Sequence, residues 1–369
     1  MAFDPDAPLT VAEISLDALR ANLRSMRALA GEAEVVGIVK ANAYGHGVDL
    51  VAPVLREEGV GFFAVATVAE GIELRSLGVT ERILVFAAPL PEQLPAYAAH
   101  GLEATVSSVQ VAEAAAALGE ALRVHVKVDT GMGRIGLAPG EVAEAMRLLR
   151  AAPAVEVAGL WTHFATADEP DAAFARTQLG RFEAVLAEVG EPLPPLHLAN
   201  TGALLQLPEA MQRRAFVRAG GYLYGLPSSD FVAERADVRP VMRLVTRVVH
   251  VKTVAPGDTV SYGRTWTADA PTRIATLAVG YGDGYPRGLS NRGEIGIGGQ
   301  HYPVAGRVCM DMTMLDLGRP GGGASVAAGD EAVLFGPGGP SVTEVAAAIG
   351  EMAYILPTGL TARVPRMPV

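Results

Sequence analysis

Lys40 is the residue of this chain best placed to do chemistry. It ends the run Val35-Val36-Gly37-Ile38-Val39-Lys40 and opens the loop Ala41-Asn42-Ala43-Tyr44-Gly45-His46-Gly47. Small and apolar residues lead straight into one charged residue, and a Gly/Asn/Tyr/His-rich loop follows. That pattern describes a buried strand delivering an amine to the mouth of a site. A partly desolvated lysine loses its proton readily and attacks carbonyls to form Schiff bases. The same run also suits a lysine that snorkels from a strand end to water.

Other reactive types sit in comparable positions. The segment 122–134 alternates Leu122, Val124, Val126 and Val128 with Arg123, His125, Lys127 and Asp129, and continues Thr130-Gly131-Met132-Gly133-Arg134. If the apolar set packs on helices, the polar set faces inward, and a lysine there is costly unless it is paired with an acid or modified. Further on come Trp161-Thr162-His163, Asn200-Thr201-Gly202 and Arg218-Ala219-Gly220-Gly221-Tyr222.

The elements that must carry these residues are legible as alternation. Apolar runs at 36–40, 62–66, 83–87, 103–106, 124–128, 155–161, 195–199 and 216–218 are separated by stretches of helical spacing such as 111–118, 141–149 and 181–189. Buried strands alternating with helices read as parallel βα units. Eight of them close a (β/α)₈ barrel, with an open doubly wound sheet as the rival. In a barrel, functional residues lie at the C-terminal ends of strands, and the reactive residues above fall at those ends. The last two strand ends are where barrels commonly hold phosphate, so Thr201 and the Gly220-Gly221 turn are phosphate-site candidates. A phosphate site facing a strand-end lysine implies a phosphorylated cofactor that bonds to an amine, pyridoxal phosphate being the leading candidate. A Schiff-base aldolase acting on a phosphorylated sugar is the alternative.

Before the barrel, 11–16 reads as an additional strand and Ser15-Leu16-Asp17 opens a helix to about Ala30. After Pro240 the texture changes to β-like segments at 244–254, 274–279, 302–308 and 332–335 with dense Gly and Pro punctuation and one helical pattern at 342–349. This is a second, mostly β domain. The Gly-rich stretch 319–324 carries no chemistry. Within the β domain, Tyr262 in Val260-Ser261-Tyr262-Gly263-Arg264 reads on its own as a packed aromatic with a wet hydroxyl, and Met310 beside Cys309 as core.

Composition narrows the class. The chain has 369 residues, half of them apolar, and a net charge of −10, which argues against nucleic acid or an anionic membrane as a partner. A single cysteine excludes an intrachain disulfide and a multi-cysteine metal site, and no metal is expected. No secretory signal and no membrane span are read, so a cytoplasmic enzyme is expected.

Taken together, these motifs resemble the bacterial pyridoxal-phosphate-dependent alanine racemases along essentially the whole chain. The matching segments are 39–47, 127–134, Thr162-His163-Phe164-Ala165-Thr166-Ala167-Asp168, Ser261-Tyr262-Gly263, Gly280-Tyr281-Gly282-Asp283-Gly284 and Gly306-Arg307-Val308-Cys309-Met310-Asp311. The resemblance implies a (β/α)₈ barrel over 11–238 that binds the cofactor. Residues 1–10 and 239–369 would form a β domain that completes the partner's active site in a head-to-tail homodimer. Lys40 would hold the cofactor through its amine. Tyr44, Asn200, Thr201, Gly220, Gly221 and Tyr354 would bind its phosphate side, and Arg218 would face the ring nitrogen. Lys127 would be carbamylated and orient Arg134. Arg134, Met310 and Tyr281 would contact alanine. Lys40 and the partner's Tyr262 would be the two bases, with His163 and Arg218 relaying charge. The implied role is D-alanine supply for peptidoglycan. A decarboxylase on the same scaffold, a non-catalytic carrier of the cofactor and a broad-specificity racemase are the rival readings. Departures from the family are Thr201 for serine, Gly221 for a bulkier aliphatic, Ala219 for an aromatic, and an altered 356–366 tail.

Overall fold

The computed structural model describes residues 8–212, 214–218, 220–321 and 325–369. Ala219, residues 1–7 of the expected β domain and positions 322–324 of the Gly-rich stretch lie outside the described residues.

Eight parallel strand positions close on one another. In order they are Glu34–Val35 with Gly37–Ile38, Phe62–Val65, Arg82–Val85, Ala104–Val106, Leu122–Lys127, Val155–Trp161, Leu196–His197 and Phe216–Val217. Neighbours pair in parallel from Gly37–Ile38 through Arg82–Val85 and from Ala104–Val106 through Leu196–His197. The Leu84–Glu103 bridge joins these groups, Ala215 N donates to Leu196 O, and Phe216–Val217 pairs with Glu34–Val35, so the circle closes. This is the (β/α)₈ barrel, and the open sheet is excluded. Every strand residue from Phe62 to Val65 is buried, as a strand covered on both faces requires.

The expected helices are present with shifted ends: Val109–Ala117, Val142–Ala151 and Ala173–Val189. Leu16–Ala30 is capped by the Ser15 hydroxyl, which accepts from Ala18 N, and it buries Leu19, Leu23, Met26 and Ala30 at helical spacing.

The β domain is an eight-stranded sheet built on the long strand Met242–Val254. One end of that strand pairs with Glu331–Phe335 and Val11–Ile14, and the other pairs with Thr272–Leu277. A register shift between Val248 and His250 marks the changeover. The boundary expected at residue 11 assigns Val11–Ile14 to the barrel. Its hydrogen bonds put it in the β sheet, antiparallel to Met242–Val254 and parallel to the C-terminal strand Arg366–Pro368. The chain therefore starts in the β domain, crosses to build the barrel, and returns. The strands Glu294–Ile297 and Thr313–Asp316 had no counterpart among the expected β segments. Among the described residues no helix is long and apolar enough to cross a membrane.

Candidate active site

Lys40 follows the first barrel strand and opens a backbone turn of unusual hand. Ala41, Asn42, Ala43 and Tyr44 all have φ of 52–53°. A left-handed run of non-glycine residues costs on the order of 1 kcal/mol per residue, and such strain persists only where the surroundings over-determine it. Glu70 supplies much of that determination. One carboxylate oxygen accepts from Ala41 N at 2.6 Å, while the other accepts from Ala66 N at 2.7 Å and Thr67 N at 3.0 Å. Sequence reading missed Glu70, although its signal was present: Thr67 and Glu70 form a capping box at the start of the helix Val68–Ser76.

The turn directs Lys40 and Tyr44 into one pocket of about 480 Å³, lined also by Phe86, Arg134, Trp161, His163 and Arg218. Burial and the Arg134 guanidinium lower the Lys40 pKa, against a smaller opposing pull from Glu70. The amine is thereby moved toward the neutral, nucleophilic form.

Tyr44 is buried, and burial together with Tyr354 pushes its phenol pKa up. Its ring meets Tyr354 edge-on at 5.6 Å and 83° and lies 5.0 Å from the ring of Tyr224. Burial, Asp168 and an opposing hydrogen bond from Ser228 leave Tyr354 pushed up to about 12. Tyr44 and Tyr354 each bring the hydroxyl against a glycine. A β-carbon on Gly220 would collide with the Tyr44 hydroxyl, and one on Gly221 with that of Tyr354. Nearby, Thr201 is buried at the start of Thr201–Gln206, a helix that the Asn200 side chain caps by accepting from Ala203 N at 3.0 Å. The altered tail therefore still delivers Tyr354 beside Tyr44.

Strand five points as expected. His125 and Lys127 face the barrel interior, fully buried. Lys127 Nζ donates to Val128 O at 2.9 Å and lies 5.0 Å from the Trp161 ring centre, with no carboxylate in ion-pair contact among the described residues. The alternative of a structural ion pair is thus excluded there. Burial and the Arg218 charge bring Lys127 down to about 7, with Asp129 opposing and Arg134 reinforcing. Asp129 instead ties the following turn, accepting from Gly131 N and Gly133 N.

Arg218 is buried and bonded on several sides. Its guanidinium donates to Thr162 O at 2.8 Å, to Leu198 O at 3.2 Å and to His197 Nδ1 at 3.0 Å, with His163 Nδ1 at 3.4 Å. An arginine only donates, so both histidines accept through Nδ1. Burial, then Arg218, hold His163 and His197 well below the ordinary histidine value, so both rings are neutral.

The remaining candidates lie elsewhere. Tyr262, Tyr281 and Met310 belong to the β domain and do not line the Lys40 pocket. They gather on one face of their own: Tyr281 N donates to Cys309 O, Gly282 N to Met310 O, and the Ser261 hydroxyl to Arg307 O. Tyr262 is 73% exposed and stands between Ser261 and Arg264, both with positive φ. The reading of Tyr262 as a packed aromatic and of Met310 as core is therefore corrected. Both project from the surface.

A parallel barrel with a depressed-pKa lysine, a tyrosine–glycine cradle and several cations at its C-terminal rim is a scaffold for amine chemistry on an anionic ligand. Comparison with known proteins agrees. Residues 14–228 match the alanine racemase N-terminal domain and residues 241–368 the C-terminal domain. The chain is 45% identical to the alanine racemase of Chlorobaculum tepidum over 99% of this chain and 97% of that one. It is 41% identical to that of Symbiobacterium thermophilum over 97% and 96%. The alanine racemase structure from E. faecalis superposes with a TM-score of 0.91 at 33% identity, covering all of both chains. That from D-cycloserine-producing Streptomyces lavendulae gives 0.89 at 36%, covering 98% of this chain and 97% of that one. The chain belongs to the alanine racemase family, a family of pyridoxal-phosphate-dependent isomerases.

Proposed function

We propose that this protein interconverts L- and D-alanine by two-base α-proton transfer on pyridoxal phosphate, as a cytoplasmic homodimer that supplies D-alanine for peptidoglycan. The observation that carries the reading is a lysine of lowered pKa in one pocket with Tyr44, whose hydroxyl, like that of the adjoining Tyr354, is set against a glycine that admits no β-carbon. These residues fit the cofactor. The hydroxyl cradle suits a phosphate, the lysine suits an aldehyde, and Arg134 and Arg218, which line the same pocket, leave positive charge for anions to meet. Pyridoxal phosphate, when bound, supplies an electron sink for the α-carbon of an amino acid.

The chain's own residues would do the rest. Tyr44, Tyr354, Asn200, Thr201 and the Gly220-Gly221 backbone would hold the phosphate. Lys40 would hold the aldehyde and, once released by the substrate amine, move the α-proton of D-alanine. Arg218 would face the ring nitrogen. It stays protonated and has no lone pair with which to take a proton, so it would leave that nitrogen uncharged and would disfavour transamination.

The second base would be the partner subunit's Tyr262, acting on L-alanine. The exposure of Tyr262 and its absence from the Lys40 pocket of its own chain support this assignment, as does the company of Met310 and Tyr281 on the same face. A phenol has an ordinary pKa near 10 and needs cations to serve as a base at neutral pH. Arg134 would provide one. His163 would provide a donor, because its Nδ1 faces Arg218 and its proton therefore sits on Nε2. Lys127, brought to about 7, is an amine able to take up carbon dioxide, and the resulting carbamate would orient Arg134. Residues up to 238, with Tyr354 from the second domain, would thus hold the cofactor, and the rest of 239–369, with the strand Val11–Ile14 in their sheet, would serve the partner's site.

Borohydride reduction followed by tryptic digestion tests the covalent link: a pyridoxyl mass on the Lys40 peptide is expected, and its absence overturns the reading. Polarimetry with L-alanine, L-serine and L-arginine tests the substrate, and carbon dioxide release in place of racemisation would make the protein a decarboxylase.

A further inference from the structure

Behind Arg218 the barrel interior holds a line of polar contacts that the chemistry above leaves unused. Glu103 stands at the N-terminal end of strand four, on the rim opposite the site. Its carboxylate is paired with Arg82 at 2.7 Å and approached by Arg123 at 3.3 Å. Its other face meets His125 Nε2 at 2.6 Å. His125 Nδ1 meets His197 Nε2 at 2.9 Å, and His197 Nδ1 meets Arg218 Nη1 at 3.0 Å. Glu103, His125, His197 and Arg218 are all buried.

One placement of protons satisfies every link. Arg218 only donates, so His197 accepts on Nδ1 and carries its proton on Nε2. That proton is donated to His125 Nδ1, so His125 carries its own on Nε2 and donates it to the carboxylate. Burial by itself would raise Glu103, yet the bonds from His125 and Arg82 hold it at about 2, so it is an anion. Both imidazoles are neutral, because burial outweighs Glu103 at His125 and is reinforced by Arg218 at His197. The links therefore all point one way, from the guanidinium to the carboxylate.

The line is built into the barrel. His125 and His197 belong to strands five and seven and reach each other across Gly159 of strand six. A β-carbon there would collide with His125 Nδ1 and come within 3.0 Å of His197 Nε2. Trp161 stacks on His197 at 5.3 Å and 8°, fixing the ring plane.

We propose that Glu103 is a positioning residue for the racemase site, which fixes the tautomers of His125 and His197 and through them the orientation of Arg218. The effect on catalysis rests on the reading that Arg218 faces the cofactor ring; the tautomers do not depend on it. Because Arg218 cannot accept a proton, the line orients and polarises and does not conduct protons.

The test is ¹⁵N NMR of histidine-labelled holoenzyme, joined to kinetics. In the wild type both His125 and His197 are expected as neutral Nε2–H tautomers. In Glu103→Leu, which leaves the His125 Nε2 proton without the acceptor that a Gln carbonyl would still offer, the single-tautomer pattern should be lost. Racemisation kcat should fall roughly 10-fold with KM for alanine unchanged, as for other supporting residues behind a reactive group, and the ratio of transamination to racemisation should rise. Gly159→Ala reaches the same link through volume in place of charge and should reproduce the pattern. A wild-type His197 that is cationic or carries its proton on Nδ1 overturns the proposal with no variant needed. Unchanged tautomers and an unchanged side-reaction ratio in Glu103→Leu do so as well. A pyridoxyl-labelled Lys40 peptide from the same preparations separates that failure from failure of the cofactor reading.

Discussion

The two rims of the barrel treat charge in opposite ways. At the N-terminal rim, Glu103 is matched by Arg82, Arg123 and His125, and Arg123 also reaches Glu156 at 2.8 Å. At the C-terminal rim, Lys40, Lys127, Arg134 and Arg218 have no carboxylate in ion-pair contact among the described residues. Arg218 there is a buried charge without an acid, which is destabilising, so the fold would not place it at that end for its own sake. The balanced rim serves stability. The unbalanced rim is completed by what binds there.

The largest expected break in that contrast is chemical. Lys40→Ala should lower alanine racemisation by at least about 10⁴-fold by polarimetry, because it removes both the covalent anchor and a base. Tyr262→Phe should cost about 10²–10⁴-fold in racemisation, with loss of α-proton exchange into deuterated water most severe from L-alanine. Mixing refolded Lys40→Ala and Tyr262→Phe chains sharpens the assignment. If sites are shared between subunits, each heterodimer regains one intact site and activity returns to about a quarter of wild type. No recovery would place both bases in one chain.

Stability should separate the rims next. Glu103→Ala strands buried charge and should cost about 3–5 kcal/mol in urea unfolding. Lys127→Met should leave the cofactor-free protein as stable or more so, while impairing activity. The pH dependence follows the same division. Glu103 is lowered from 4.5 to about 2, so its contribution is present above 4.5 and is lost as pH falls toward about 2. Lys127 is lowered from 10.5 to about 7, so the unfolded chain binds the extra proton between those values. Wild-type stability should therefore rise relative to Lys127→Met as pH increases across that window. Gly221→Ala should weaken cofactor retention on dialysis, with an overpacking cost of about 1–3 kcal/mol at the Tyr354 hydroxyl. Smallest of all, Ser15→Ala removes a helix cap far from either rim and should cost about 1 kcal/mol with activity unchanged.

Much of this was legible in one dimension. Lys40, Tyr44, Lys127, His163, Thr201 and Arg218 fall at or just after strand ends, and a parallel barrel gathers such positions on one rim whatever the details of its packing. Tyr262 carried no such mark, since a tyrosine in a turn looks the same whether it packs or projects. Glu70 was signalled only as half of a capping box, while its contact with Ala41 depends on how the second βα unit packs on the first.

What the sequence determined by itself was periodicity: alternating apolar runs, their count, and the residue types at their ends. These follow from local backbone geometry and from which face must be dry. The tertiary structure alone decided who meets whom. It moved Val11–Ile14 into the β sheet and set His125 against His197 across Gly159. It also left Tyr262 exposed on a face of its own. Those outcomes depend on closure and register between segments far apart in the chain, where burial of the whole, and not the preference of any one stretch, selects the partner.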